Sequence, residues 1–141
     1  MALATSVKMS LASEIRLVDL VHEASQKMAE IAGFEEDDAL NVALAVREAV
    51  INAITHGNGS DPSRMVDVTF ATNATGIRVT VRDHGGGFDP GATRDPTAGN
   101  NLLRSSGRGL LLIRAFVDEV RFRNLKGRGM ELTLVKTVRP R

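Results

Sequence analysis

Helical and extended hydrophobic patterns occupy separate parts of this chain, and their separation restricts the fold class more than any other feature of the sequence. Apolar residues recur at helical spacing over about residues 14–32, and again from about residue 37 to residue 56. Alternation typical of strands follows, in segments 65–71, 77–83, 120–124 and 130–138. Because helices come first and antiparallel strands later, the pattern predicts an α+β fold with helices on one face of a sheet.

Local signals predict where these elements begin and end. Ser13 is expected to cap the first helix, and Gly33 suits the left-handed position that ends it. Asp37 and Asp38 suit the first turn of the second helix, because anions are favoured at the positive end of the helix dipole. Residues 57–62, Gly-Asn-Gly-Ser-Asp-Pro, should stop that helix. A short strand is expected at 7–11, a short helix at 110–117, and hairpin turns at 73–76 and 126–129.

Size and composition exclude several classes of protein. With 141 residues and 15.1 kDa, the chain suits a single domain over residues 1–141. The absence of Cys excludes a disulfide scaffold, a Cys-ligated zinc site and a thiol nucleophile. No apolar run approaches the roughly 20 residues that span a bilayer, and the first residues do not resemble a secretory signal. We therefore expect a cytoplasmic protein without membrane association.

Charge is distributed unevenly along the chain, although the net charge is only +1. Residues 1–50 carry 4 basic and 9 acidic side chains, whereas residues 101–141 carry 10 basic and 3 acidic ones. The basic third could contact phosphates or an acidic protein face, or it could be solvated surface facing the acidic half. Direct nucleic-acid binding is not expected, because the five aromatic residues are all Phe and do not alternate with basic residues.

The second predicted helix carries a polar series beside apolar neighbours. Glu48, Asn52 and His56 follow one another at four-residue spacing, so that Glu48 and Asn52 share one helix face. A carboxylate and an amide beside an apolar stripe cost desolvation energy unless something binds them. The alternative is a polar edge along a solvated face. His56 is interpreted as a structural residue at the helix C-terminus, where a cation is favoured.

Two glycine-rich segments are further candidates for a binding site. In residues 83–87 a predicted strand ends on Asp83 and continues into three glycines, which permit close approach of a ligand to the main chain. Residues 105–110, Ser-Ser-Gly-Arg-Gly-Leu, lead into the short helix, whose free N–H groups would suit a phosphate. Each segment also has a plain interpretation as a turn or a helix start. Neither matches a Walker loop or a Rossmann fingerprint.

In their order along the chain, these motifs resemble the GHKL superfamily of ATP-binding domains, which includes gyrase and the histidine kinases. The matching segments are EAVINAITHGN at 48–58, DHGGGFDP at 83–90 and GRGLLLIRAFVDEV at 107–120. Within that superfamily the sequence is most similar to the small bacterial anti-sigma factor serine/threonine kinases, over nearly the whole chain. The resemblance implies a Bergerat-type histidine kinase-like fold, a two-layer α+β sandwich whose mixed, mostly antiparallel sheet is covered on one face by helices.

The resemblance also implies roles for individual residues. Asn52 would ligate Mg²⁺, and Glu48 would act as general base. Asp83 would recognise adenine by accepting a hydrogen bond from its amino group, and Gly85 and Gly87 would leave room beside the base. A lid over the nucleotide would be formed by residues 89–106, and the ATP phosphates would be bound by Gly107, Arg108, Gly109 and Leu110.

The implied function is an ATP-dependent serine/threonine protein kinase. It would phosphorylate an anti-anti-sigma antagonist of the STAS type and sequester a sigma factor, and a homodimer is expected. Nothing before residue 13 resembles a helix with a phosphoacceptor His, which favours transfer to a partner protein over histidine autophosphorylation. Two alternatives remain open: a nucleotide-binding regulatory module without phosphoryl transfer, and an α+β scaffold that binds no nucleotide.

Overall fold

The computed structural model describes residues 4–85 and 109–138, which form a five-stranded sheet and three α-helices. A 3₁₀ turn, Ile15–Leu17, precedes the first helix, and a π-helical turn, Ala53–Gly57, continues the second. None of the helices in these two ranges combines the length and apolar character needed to cross a membrane. The elements in chain order are β1 Thr5–Ala12, α1 Val18–Ile31, α2 Glu36–Asn52, β2 Met65–Asn73, β3 Gly76–Arg82, α3 Gly109–Phe116, β4 Glu119–Asn124 and β5 Met130–Thr137.

The sheet has the strand order β1-β2-β3-β5-β4. The two predicted hairpins, β2–β3 and β4–β5, lie side by side, and β1 forms the edge next to β2. The predicted α+β class is confirmed, and all pairings of the described strands are antiparallel rather than mixed. The short connection between α1 and α2 makes these helices antiparallel neighbours. After the two helices, the chain is back at the end of the sheet where β1 finished, so β2 runs opposite to β1.

The core lies between one face of the sheet and the helix pair α1 and α2. On β2, the side chains of Val66, Val68 and Phe70 are buried, whereas Asp67 and Thr69 between them are only partly buried. This alternation matches the period-2 pattern of the sequence and leaves the second face of the sheet without a helical layer among the described residues. The buried helix residues that complete the core include Val18, Val21, Val42, Val46 and Val50.

One predicted helix boundary is wrong. Ser13 does not cap the first helix, because a 3₁₀ turn begins after Glu14 and α1 begins only at Val18. The Ser13 hydroxyl instead donates to the carbonyl oxygen of Arg64 at 2.5 Å and accepts from the Asn58 side-chain amide at 2.8 Å. Ser13 is buried, and these tertiary partners satisfy its hydroxyl in place of the helix N–H groups. The other predicted elements are found with shifts of a few residues at their ends.

Removing the largest side chain of this core tests the packing directly. Phe70 is fully buried at the centre of β2, so Phe70→Ala should lower the free energy of unfolding by about 3–5 kcal/mol. Thr69→Ala is the matched control, because Thr69 is the adjacent residue and faces the opposite side of the sheet. The control should change stability by less than about 1 kcal/mol. Urea unfolding measures both, and equal losses would contradict the assigned faces of β2.

Candidate functional site

The end of α2, the residues after β3 and the start of β5 meet at one place in the fold. Asn52 is the last residue of α2, and the π turn Ala53–Gly57 follows it directly. This turn lies against Asp83, because a Cβ atom added to Gly57 would be only 2.2 Å from Asp83 Oδ2. The candidate residues Asn52 and Asp83 are therefore linked through a single turn, although they are far apart in sequence.

The side-chain amide of Asn52 is bonded on one side only within the described part of the chain. The residue is 4% exposed, and its Nδ2 group donates to the main-chain carbonyl of Glu48 at 3.0 Å. Its Oδ1 atom is buried and accepts no hydrogen bond from any residue that the structure describes. Because an unsatisfied buried acceptor costs about 1–3 kcal/mol, this oxygen marks a place that a ligand would complete. A neutral, hard oxygen donor fits Mg²⁺, which binds through oxygen and keeps several of its waters.

Glu48 lies one helical turn before Asn52, as the spacing predicts. The hydrogen bond between the Asn52 amide and the Glu48 carbonyl fixes the two residues relative to each other. The Glu48 side chain is only partly buried, and it forms no ion pair with another residue in the described ranges. A carboxylate in this state is accessible and can accept a proton.

Asp83 is a buried carboxylate whose two oxygens have different surroundings. The residue is 6% exposed, and its Oδ1 atom accepts from the N–H groups of Gly85 and Met130, each at 3.1 Å. The Asp83 N–H in turn donates to the Met130 carbonyl at 3.0 Å. No donor in the described part of the chain reaches Oδ2. Burial raises the pKa of Asp83, and the two N–H bonds oppose that rise. Oδ1 is thus fixed by the main chain, and Oδ2 can accept from a ligand.

Three glycines enclose Asp83, each from a different segment. A Cβ atom on Gly57 would meet Asp83 Oδ2, and one on Gly85 would lie 1.8 Å from the Gly57 carbonyl oxygen. Gly129 has a φ of +106°, and a Cβ atom there would lie 2.0 Å from the Asp83 carbonyl oxygen. A larger residue at any of the three would displace the chain around the carboxylate. Of these three, only Gly85 is a predicted site residue, because the sequence pattern indicates a helix-stop glycine at Gly57 and a hairpin glycine at Gly129.

The predicted phosphate-binding segment is described only at its end. Gly109 and Leu110 form the first turn of α3, which packs against α2. Gly109 is buried and Leu110 is partly buried. Gly87, Gly107 and Arg108, as well as the predicted lid at 89–106, lie outside the described residues. Of the predicted site residues, the structure therefore describes Glu48, Asn52, Asp83, Gly85, Gly109 and Leu110.

Residues 11–136 match the family of the histidine kinase-like ATPase domain. The chain belongs to this family. It is similar to an anti-sigma F factor of Anoxybacillus flavithermus, with 32% identity over 107 residues that cover 71% of this chain and 70% of the relative. It is also similar to the serine-protein kinase RsbW of Staphylococcus epidermidis, with 28% identity over 140 residues that cover 94% of this chain and 87% of the relative. The predicted resemblance to the GHKL domains is therefore confirmed.

A solved structure supports the same family. The fold is similar to the crystal structure of the RsbU and RsbW domains of Rv1364c from Mycobacterium tuberculosis, with a TM-score of 0.64 and 25% sequence identity. The similarity covers 96% of this chain but only 33% of that longer protein. The helices and the five-stranded sheet described above therefore form a fold that this solved structure shares.

The buried carboxylate gives a test based on pH. An unfolded Asp ionises near pH 3.9, whereas folded Asp83 ionises at higher pH because burial raises its pKa. The native protein should therefore lose stability as the pH rises from about 3.9 through the folded pKa. Asparagine does not titrate and still offers an oxygen to the Gly85 and Met130 N–H groups. Asp83→Asn should thus become increasingly more stable than the native protein over that interval, and the difference should level off above it.

Urea unfolding of both proteins across that pH range measures the difference. Asp61→Asn is a control of opposite sign, because hydrogen bonds from Ser63 hold the pKa of Asp61 below its usual value. That variant should lose stability relative to the native protein only below about pH 3.9, as the pH rises from the folded pKa of Asp61 to the unfolded value, so the measurements begin below that pH. Over the interval in which Asp83→Asn gains stability, the difference for Asp61→Asn should be constant. A difference between Asp83→Asn and the native protein that does not depend on pH would contradict the burial of a charged carboxylate.

Proposed function

We propose that this protein is an ATP-dependent serine/threonine protein kinase of the anti-sigma factor type. It would phosphorylate an anti-anti-sigma antagonist of the STAS type and sequester a sigma factor, as a homodimer in the cytoplasm. The names of its relatives, anti-sigma F factor and serine-protein kinase RsbW, support this class of activity. The observation that carries the proposal is the buried Asn52 Oδ1 atom, which has no donor among the described residues and lies at the end of the helix that bears Glu48.

Asn52 would hold Mg²⁺ through this oxygen. Because its Nδ2 group already donates to the Glu48 carbonyl, the amide is oriented before the metal arrives. When bound, Mg²⁺ would neutralise charge on the β- and γ-phosphates of ATP. The N–H groups of Gly107, Arg108, Gly109 and Leu110, together with the Arg108 side chain, would bind the phosphates from the other side, and residues 89–106 would cover them.

Glu48 would act as the general base. As the hydroxyl oxygen of the partner's serine or threonine attacks the γ-phosphorus, the bond from that phosphorus to the bridging oxygen breaks and ADP leaves. The carboxylate of Glu48 would accept the hydroxyl proton. A partly exposed position suits this role, since the substrate is a side chain of another protein that must reach the base.

Asp83 would select adenine. Its Oδ2 atom can accept a hydrogen bond from the exocyclic amino group, whereas guanine would present a carbonyl oxygen there and repel the carboxylate. Gly85 and Gly87 would leave room beside the base. The same pocket could serve a nucleotide-binding regulatory module without transfer, because Asn52 and Asp83 support binding as well as catalysis.

A substitution of the proposed base distinguishes the kinase from the regulatory module. Glu48→Gln should retain ATP binding but lower the rate of phosphate transfer to the antagonist by about 10²–10⁴-fold, the usual contribution of a general base. Transfer of labelled γ-phosphate measures the rate, and calorimetry measures ATP affinity. Glu36→Gln, at the exposed start of the same helix, is the control and should leave both unchanged. Undiminished transfer by Glu48→Gln would remove Glu48 as base, and a native protein that binds ATP without transfer would be the regulatory module.

A substitution of Asp83 tests the proposed adenine contact. Asp83→Asn should weaken ATP binding by about 1.5–3 kcal/mol, because it removes a charged acceptor from one hydrogen bond. The loss should appear in calorimetry with ATP and ADP while the folded state stays intact. Asp61→Asn, at an exposed turn, should bind both nucleotides normally. Unchanged affinity of Asp83→Asn would exclude Asp83 from base recognition.

A further inference from the structure

Asn58 connects the candidate nucleotide site to β1 and β2, the first two strands of the sheet. It follows the π turn, is 1% exposed, and its N–H donates to the Ala53 carbonyl at 2.8 Å. Its side-chain Nδ2 group donates to Ser13 Oγ at 2.8 Å, and it also lies 3.1 Å and 3.3 Å from the carbonyl oxygens of Met65 and Arg64. These partners lie at the end of β1 and the start of β2, so they fix the plane of the amide.

The other end of the Asn58 amide points to the site. Its Oδ1 atom accepts the main-chain N–H of His84 at 2.9 Å. His84 stands between Asp83 and Gly85, the two residues that hold the carboxylate geometry. The hydrogen bond from His84 therefore anchors the main chain between the proposed adenine acceptor, Asp83, and the glycine beside the base, Gly85.

A second contact holds the same residue through its side chain. His84 Nε2 lies 2.6 Å from Asp67 Oδ2 on β2, and the Ser10 hydroxyl donates to the other oxygen of Asp67. Both partners of the His84–Asp67 pair are 39% exposed, so this pair contributes little compared with a buried hydrogen bond. The contact through Asn58 is partly buried, and Asn58 itself is buried, so this hydrogen bond is better shielded from solvent than the His84–Asp67 pair.

We propose that Asn58 is a positioning residue for adenine recognition, acting through the His84 main chain on Asp83. The inference rests on the proposed role of Asp83 as the adenine acceptor. Asn58 suits this task because its two ends are separate: the Nδ2 group binds the sheet, and the Oδ1 atom holds the residue next to Asp83. An acceptor at position 58 is then required for nucleotide affinity, whereas the donor is required only for stability.

Three variants separate these two ends. Asn58→Ala removes both the donor and the acceptor. Asn58→Asp keeps an acceptor for the His84 N–H but places a carboxyl group against carbonyl oxygens, which costs stability. Ser13→Ala, the matched control, removes a buried partner of Nδ2 and leaves the bond to His84 in place. Stability is measured by urea unfolding, and dissociation constants for ADP and GDP are measured by calorimetry at a temperature where each variant is folded.

The affinity for ADP should depend on whether residue 58 keeps an acceptor for the His84 N–H group, and not on the stability of the variant. Asn58→Ala should raise the dissociation constant for ADP about three- to tenfold, the worth of one hydrogen bond, and reduce the discrimination between ADP and GDP. Asn58→Asp should stay within about threefold of the native affinity despite its lower stability. Ser13→Ala should be less stable and bind ADP normally.

The outcomes distinguish the inference from the proposed function. A native protein that binds no ADP would overturn the proposed function itself. Normal ADP binding by the native protein together with unchanged affinity of Asn58→Ala would overturn only the role of Asn58. The inference would also be wrong if affinity falls with stability in Ser13→Ala and Asn58→Asp, because that would show a purely structural residue. If Asn58→Ala does not fold, Asn58→Leu replaces it, because leucine also lacks an acceptor for the His84 N–H group but fills a similar volume. Unchanged ADP affinity of that variant would equally overturn the role of Asn58.

Discussion

The carboxylate of Asp83 must be buried at the point where three segments of the chain converge, and this requirement determines much of the local structure. One oxygen is satisfied by the main-chain N–H groups of Gly85 and Met130. Those bonds require β5 to begin beside the end of β3, which the antiparallel pairing of Arg82 with Glu131 provides. The close approach of the π turn and of the second hairpin then requires glycine at 57 and 129. The glycines at 57 and 129 are in this sense required by one buried side chain, and the β3–β5 register places Met130 where it can bond to that side chain.

The candidate site contains buried polar groups that are unfavourable in the free protein, unlike the apolar core that supports it. Burial raises the pKa of Asp83, and Asn52 keeps a buried oxygen without a donor among the described residues. Both features cost stability in the free protein, since buried polar groups normally have partners. The apolar packing of β2 and β3 against α1 and α2 offsets this cost. Such an arrangement is typical of binding sites, where the missing partner is the ligand.

The sequence allowed prediction of what depends on periodicity and local spacing. The alternation in 65–71 and 77–83 identified β2 and β3, and the four-residue spacing of Glu48 and Asn52 placed them on one helix face. Prediction failed where a residue forms hydrogen bonds with a distant segment. Ser13 carries a strong local signal for a helix cap, but its hydroxyl is hydrogen-bonded to Arg64 and Asn58 instead. The sequence pattern indicates a helix stop at Gly57 and a hairpin turn at Gly129. Only their contacts with Asp83 show why a residue without a Cβ atom is needed at both positions. The roles of the segment 86–108 stay predictions.

The π turn explains how one helix can serve both ends of the site. In a continued α-helix the Asn58 N–H would bond to the Ile54 carbonyl, but it bonds instead to Ala53, and Ser60 bonds to Ile54. The Thr55 hydroxyl donates to the Ile51 carbonyl at 2.8 Å, a side-chain bond that competes with the regular ladder and bends helices. The wider turn changes the direction of the residues after Asn52, so that Gly57 meets Asp83 and Asn58 meets His84 instead of continuing along the helix axis. π turns are found frequently at functional sites. The π turn of this chain agrees with that tendency, because α2 carries Asn52 of the candidate site and the turn after it contacts Asp83.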